Sequence, residues 1–230
     1  MVALGVGQPC YKAYRGEGEG LRKFSSIDGS RRSLERRSWP AQAAPLVSDD
    51  FFTEWAEDLP SLTAQEQLSL ERLKQRYDYH RLDGLFLEGT INLVVTAPSL
   101  ELLGFLDPPF RLQSPYGIAL ELEDPAETIR GFIDVLVVQE RLWILTVESK
   151  RTSISVPAAL PQLLAYMAAN PNRECPNYGM ATNGDEFVFL KLGVGGEYDT
   201  SRSFWLFPRR HELSQVTQIL KKLGMRVLST

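Results

Sequence analysis

The segment Arg130–Arg151, RGFIDVLVVQERLWILTVESKR, constrains the fold more tightly than any other stretch of the chain. Two apolar runs of β-strand composition are joined by a short polar turn, the signature of an antiparallel hairpin. Each run nevertheless carries charge where a buried strand ordinarily holds Val or Ile. Asp134 lies near the start of the first run, and Glu148 and Lys150 lie at the end of the second. Residues two apart in a strand face the same side, so Glu148 and Lys150 share a face. With a three-residue turn at Glu140, Arg141 and Leu142, Asp134 falls directly across from Glu148 on that face.

Carboxylates opposed at about 5 Å repel one another, and like charges so placed destabilise a sheet. A divalent cation between them removes the conflict, because Mg2+ prefers hard oxygen ligands. Lys150 would then stand beside the ion, suited to orient a water or to steady charge developing on a phosphate. The alternative is an exposed strand end, with Glu148 and Lys150 solvated and Asp134 terminating its strand. Glu-x-Lys alone is a weak motif, although Lys150 is the only one of the seven lysines with an acid two residues before it. On these three residues the two readings balance. The next apolar stretch, AALPQLLAYMAAN, reads as a helix that sets Gln162 and Tyr166, four apart, on one face.

Around the hairpin, the chain alternates helical and strand signals. Ser48 offers an N-cap to a short helix over SDDFFTEWAEDL. Thr63 and Glu66 form a capping box for a helix running towards Leu82. A further helix through LFLEGTINLVVTA is expected to end at Pro98, and a short one, SLELLG, to close on Gly104. YGIALELED alternates as a half-exposed strand, and YGMATNGDEFVFLKL places an Asn183-Gly184 turn between two strands. LGVGGEYDT reads as a loop, SFWLF as a strand, and HELSQVTQILKKLG as an amphipathic helix ending at Gly224. The result is an α/β fold, a meander of antiparallel strands interrupted by a crossover helix.

At 230 residues the chain supports one good core, and no apolar run approaches the roughly 20 residues of a membrane span. Two distant cysteines, Cys10 and Cys175, argue against a disulfide framework or a zinc site and for a reducing, cytoplasmic setting. The charge is uneven. Residues 1–45 hold eight Lys/Arg against four Asp/Glu, a balance of +4, so the remainder carries −8 within the net −4. That leading segment, rich in Gly, Ser and Arg, lacks the apolar surface to offset its ordering entropy and is expected to be disordered, with a single domain over 46–230. It reads as a solvated tail, with a phosphate-scanning arm as the alternative.

Asp134, then Glu148-Ser149-Lys150, then Gln162-Leu163-Leu164-Ala165-Tyr166, resembles the PD-(D/E)XK nuclease superfamily. It is similar in particular to the N-terminal nuclease domain of type I restriction enzyme R subunits, in which a Gln-x-x-x-Tyr motif follows the catalytic hairpin. The Thr182-Asn183-Gly184 turn fits the hairpin after that helix, and the resemblance covers about residues 60–195. Ile133 stands where the family's motif has proline. The resemblance implies a restriction-endonuclease-like core: a mixed central sheet with an antiparallel catalytic hairpin, flanked by helices. It implies a Mg2+-dependent DNA endonuclease, with Mn2+ able to substitute. Asp134 and Glu148 would be metal ligands, Lys150 would align the attacking water, and Glu88, in LFLEGTINLVV, would be an outer metal or water ligand. Gln162 and Tyr166 would contact backbone phosphate or support the site. The chain lacks the Gly-x-x-x-x-Gly-Lys-Ser/Thr loop of an ATP-driven translocase, which leaves a stand-alone nuclease domain.

A different class of function fits the same residues: a non-catalytic module that binds nucleic acid or a partner subunit, favoured by the acidic balance of the core domain. The sequence leaves a homodimer and a partner subunit equally open. Gly-x-Ser-x-Gly is absent, and His80 and His211 are too far apart in sequence to propose as a pair. Arg209, Arg210, Lys221, Lys222 and Arg226 form a basic cluster that either touches phosphate or lines a solvated helix face. If residues 1–45 are unpacked, their removal leaves the melting temperature nearly unchanged, because no buried area is lost. A fall beyond a few degrees in a thermal melt would identify a packed element there.

Overall fold

A computed structural model describes residues 44–46, 48, 50–121, 128–139, 142–172, 174–206 and 212–228. The expectation for residues 1–43 therefore lies outside the described residues, while Ala44–Pro45 pairs as a short strand, β1. Helix α1 (Ala64–Leu82) starts at the expected capping box. The Thr63 hydroxyl accepts from the Glu66 N–H at 3.2 Å, and the Glu66 carboxylate accepts from the Thr63 N–H at 2.6 Å. Leu70, Leu73 and Tyr77, spaced along one stripe, form its buried face.

Next comes a three-part helical run: α2 (Glu88–Ile91), a π-helical turn (Asn92–Thr96) and α3 (Ala97–Leu102). The strands are β2 (Phe110–Gln113), β3 (Tyr116–Glu121), β4 (Thr128–Ile133), β5 (Val135–Gln139) and β6 (Leu142–Ser149). A 3-10 turn (Val156–Ala159) leads into α4 (Leu160–Ala168), followed by β7 (Asn177–Thr182), β8 (Glu186–Leu192), β9 (Glu197–Thr200), β10 (Phe204–Trp205) and α5 (Leu213–Leu228).

Eight strands form one mixed sheet in the order β1-β9-β8-β7-β6-β5-β2, with β10 also pairing with β8. The β6–β7 and β1–β9 pairs are parallel and the others antiparallel. The parallel β6–β7 pair needs a crossover, and α4 supplies it. Strand alternation divides the core between two faces. Val135, Val137, Met180, Phe187 and Phe189 pack with α1, the three-part run and α5. Ala181, Val188, Leu190 and Leu192 pack under the 3-10 turn and α4, with Val156, Leu163, Leu164 and Met167. The molecule is thus a three-layer α/β arrangement, and among the described residues no helix is long and apolar enough to cross a membrane.

Several local expectations are corrected. In place of the helix expected from Ser48, turns are closed by Phe51 N–H to the Ser48 carbonyl and by Ala56 and Glu57 N–H to the Thr53 carbonyl. Phe52 and Glu54 are both buried, and a helix would turn residues two apart to different sides. Pro98 does not end its helix. It lies inside the helical run, as the second residue of α3 directly after the π turn. Leu85–Leu87 precede the helical run instead of joining it. Helix α5 passes through Gly224 to Leu228, and the glycine serves close packing: a Cβ there would lie 2.9 Å from the Phe105 ring. β2 and β9 are strands without a sequence forecast; β9 forms from the end of the stretch read as a loop.

The hairpin differs in a way that preserves its consequence. Leu142 pairs with Gln139 and so belongs to β6 instead of the turn, but a bulge between Val137 and Val138 takes up the offset. Val135 still faces Val147, as a three-residue turn would give. The first apolar run is also two strands, not one. β4 pairs with β3 in a separate two-stranded sheet, β5 joins the main sheet, and Asp134 is the bend between them.

The β7–β8 turn, with Gly184 at φ +87°, is clamped to α1. The Arg81 guanidinium forks onto both Asp185 oxygens at 2.9 Å, and the Tyr77 hydroxyl donates to the same carboxylate. Asp185→Ala leaves both donors without their acceptor in a mostly buried setting and is expected to destabilise the fold by on the order of 3 kcal/mol. Asp185→Asn keeps one acceptor and should lose less; urea midpoints measure both.

Candidate functional site

Glu148 ends β6 on the face covered by α4, because its parallel-register partner is Ala181, part of the core beneath that helix. It is 1% exposed. Its Oε1 accepts from Lys150 Nζ, while its buried Oε2 has no hydrogen-bond partner among the described residues. Asp134, at the bend, turns its Oδ2 to the Ser149 N–H at 2.6 Å. That bond ties the bend to the end of β6 next to Glu148. Lys150 Nζ reaches a second acceptor, Gln162 Oε1, at 3.0 Å, and Gln162 Nε2 donates to the Tyr166 hydroxyl at 2.6 Å.

Five of the six residues singled out from sequence, Asp134, Glu148, Lys150, Gln162 and Tyr166, therefore meet in one linked cluster. Pro157 and Pro161 lie in the first turns of the 3-10 segment and of α4, where they start each element and do not distort it. Gln162 consequently points at Lys150. The sixth, Glu88, is exposed in the first turn of α2. Its charge acts on both Asp134 and Glu148. Among the described residues, however, no group of three or more His, Cys, Asp or Glu could hold a metal ion. The pair Asp134 and Glu148 offers oxygen ligands, and the partnerless Glu148 Oε2 is a buried acceptor that fits a hard cation.

The electrostatics follow from burial and crowding. Burial pushes the Glu148 carboxyl up to about 8; the Asp134 and Glu88 charges add to the rise, and Lys150 pulls against it. Asp134 is also raised, by burial first and by Glu88, with the Ser149 N–H and Lys150 opposing. Tyr166 is pushed up to about 12, by burial and then by the Glu148 charge. Clustered groups displaced in this way are typical of functional sites.

Three residues beside the cluster, Ser149, Asn92 and Thr182, carry no site role from sequence. Ser149, between Glu148 and Lys150, faces the opposite layer, where its hydroxyl donates to Asn92 Oδ1 at 2.6 Å. The one hint was Asn92 itself, a polar residue inside the apolar run TINLVV. The Thr182 carbonyl fixes the backbone of Lys150, accepting its N–H at 2.8 Å. Of the other candidates, His80 only stacks edge-on with Tyr79, ring centroids 5.2 Å apart. Arg209, Arg210 and His211 lie outside the described residues. Lys221 and Arg226 are paired with Glu66 and Glu54, and Lys222 donates to the Glu57 carbonyl, so these three brace the fold.

No protein-family model and no curated protein matches the chain. Among solved structures, the chain is similar to a fragment described as an HsdR subunit of a type I restriction enzyme from Vibrio vulnificus YJ016. Identity is 17% and the TM-score 0.38, over 61% of this chain and 26% of that one.

A carboxyl whose folded pKa lies above its unfolded value of 4.5 contributes stability below pH 4.5, and that contribution disappears as pH rises through the folded value. In metal-free buffer, the melting temperature is therefore expected to fall between pH 4.5 and about 8. Glu148→Gln should flatten that slope. Thermal melts across the range test this, and parallel curves for the two proteins would show that Glu148 is not the group responsible.

Proposed function

We propose that the chain is a metal-dependent endonuclease that hydrolyses phosphodiester bonds of DNA, built on a restriction-endonuclease-like core. The observation that carries this reading is the buried Glu148, with one oxygen on Lys150, the other without a partner among the described residues, and excess negative charge around it, beside the bend at Asp134. An unmatched buried oxygen costs about 1–3 kcal/mol; Glu54 has one too but faces two cations, Lys191 and Arg226, whereas Glu148 faces one cation and two further carboxylates. Asp134 and Glu148 would hold Mg2+, with Glu88 reaching it through water. The ion would lower the pKa of a bound water and neutralise phosphate charge.

The protein's own groups do the remainder. An ammonium has three protons; Glu148 and Gln162 take two from Lys150, and the third has no partner among the described residues. That third proton is placed to orient the attacking water or to steady a phosphate oxygen. Gln162 and Tyr166 keep Lys150 from swinging away and thereby support the site.

A second reading, a non-catalytic module that binds nucleic acid or a partner, draws on the absence of a three-ligand metal group among the described residues and on the acidic domain. The two separate experimentally. Under the nuclease reading, Mn2+ at a hundredfold excess over its dissociation constant stabilises the fold by about 2.7 kcal/mol. Asp134→Asn raises metal-free stability and shrinks the metal response. Lys150→Ala abolishes cleavage of plasmid or single-stranded DNA with a native far-UV spectrum, and Lys150→Arg also fails, since a planar guanidinium does not replace a compact ammonium. Wild type indifferent to millimolar Mn2+, or cleavage unaltered in Lys150→Ala, would leave the binding module.

A further inference from the structure

Ser149 is 1% exposed and makes two short hydrogen bonds in different directions. Its N–H donates to Asp134 Oδ2 and its hydroxyl donates to Asn92 Oδ1, each at 2.6 Å. Asn92 is the first residue of the π-helical turn and the residue that caps α2, with its N–H on the Glu88 carbonyl. Glu88 and Asn92 thus stack one turn apart on the same side of the helix. A single path runs from Asp134 through Ser149 and Asn92 to Glu88. It joins the helix bearing the third carboxylate to the bend at Asp134 and to the end of β6, next to Glu148.

The π turn is a second, independent observation. In it the Ala97 N–H reaches back five residues to the Asn92 carbonyl. One extra residue fits into the turn, so the helix can present Asn92 to Ser149 and still bury Ile91, Val95 and Leu100. Single π turns inside α-helices are rare and are found frequently at functional sites.

We propose that Asn92 and Ser149 are positioning residues: their hydrogen bond fixes Asp134 and Glu88 relative to Glu148, and so sets the affinity of the site for a divalent cation. The inference rests on the nuclease reading above and adds to it two residues that touch neither metal nor substrate. Groups one bond behind metal ligands typically change affinity when lost, since they hold the ligands in the geometry the ion requires.

The test uses the full chain, with Mn2+ alone as probe. Melting temperature is followed against MnCl2 for wild type, Ser149→Ala, Asn92→Ala and the double variant, and calorimetry checks the binding. Each single substitution is expected to raise the half-saturating Mn2+ concentration on the order of tenfold. The double variant should go no further, because both changes break one bond. Ser149→Thr keeps the hydroxyl and should titrate as wild type, whereas Ser149→Val, alike in shape, should titrate as Ser149→Ala. That last pair carries the comparison if the alanine variants fail to fold. Variants that melt lower without metal yet saturate at the wild-type Mn2+ concentration assign the bond to the fold alone and overturn the proposal. Wild type blind to Mn2+ overturns the metal reading, and this inference with it. A responsive wild type matched by Ser149→Val overturns this inference only.

Discussion

The Glu148–Lys150 pair is the interaction on which the organisation of the site depends. Removing a carboxylate from water is expensive unless partners replace the lost hydration. Here, one oxygen of Glu148 is matched and the other has no partner among the described residues, so the fold must enforce the placement. It does so from three directions. Parallel pairing with β7 fixes the end of β6, with Glu148 in register with Ala181. The Thr182 carbonyl holds the backbone of Lys150, and Gln162 of α4 holds its ammonium. Each of these supports derives from the βαβ crossover, which brings the helix after Lys150 back over the strand that precedes it.

The bend at Asp134 is the second constraint. If the run through Ile133 to Gln139 continued as one strand, Asp134 would be a mid-strand residue with only its ladder partners. Because the chain leaves one sheet and enters another at this point, the Asp134 side chain can reach the Ser149 N–H. Ile133 next to it is fully buried and packs with Leu136, Val138 and Tyr166, which anchors the bend beneath α4. The apolar content of this stretch therefore serves to hold a charged residue in place.

Strong local signals made much of this legible in the sequence. The capping box at Thr63, the Asn183-Gly184 turn and the hairpin each rest on interactions between residues near in sequence, and each is present. Hairpin register joined Asp134 to Glu148 and Lys150, helical spacing paired Gln162 with Tyr166, and the family resemblance placed the two sets in one site. Misread features have tertiary causes. Residues 48–57 are shaped by the inward pull on Phe52 and Glu54, and α5 continues past Gly224 because Phe105 occupies the space beside it. The split of the apolar run into β4 and β5 depends on which sheet each half joins, and the Ser149–Asn92 contact links residues 57 apart in sequence. No local pattern encodes such choices.

Glu54 shows that the crowding at Glu148 is particular to that site and not a general property of this fold. Both glutamates are 1% exposed, and each has an Oε2 without a partner among the described residues. Around Glu54, however, Oε1 accepts from Tyr178 at 2.9 Å, Lys191 at 2.9 Å and Arg226 at 2.7 Å. Burial alone would raise its pKa, but the Lys191 and Tyr178 bonds and the Lys191 charge outweigh burial and hold it below the ordinary range. With two cations against one carboxylate, that cluster is electrostatically content, and it joins residues 51–54 to the sheet as a structural brace. Glu148 has the opposite surroundings: one cation, Lys150, and two further carboxylates, Asp134 and Glu88. Fully ionised, those four groups carry two excess negative charges, the amount a single divalent cation cancels. The same chain thus offsets the charge of one buried glutamate with two cations and leaves the other wanting positive charge, at the place where the proposed ion would bring it.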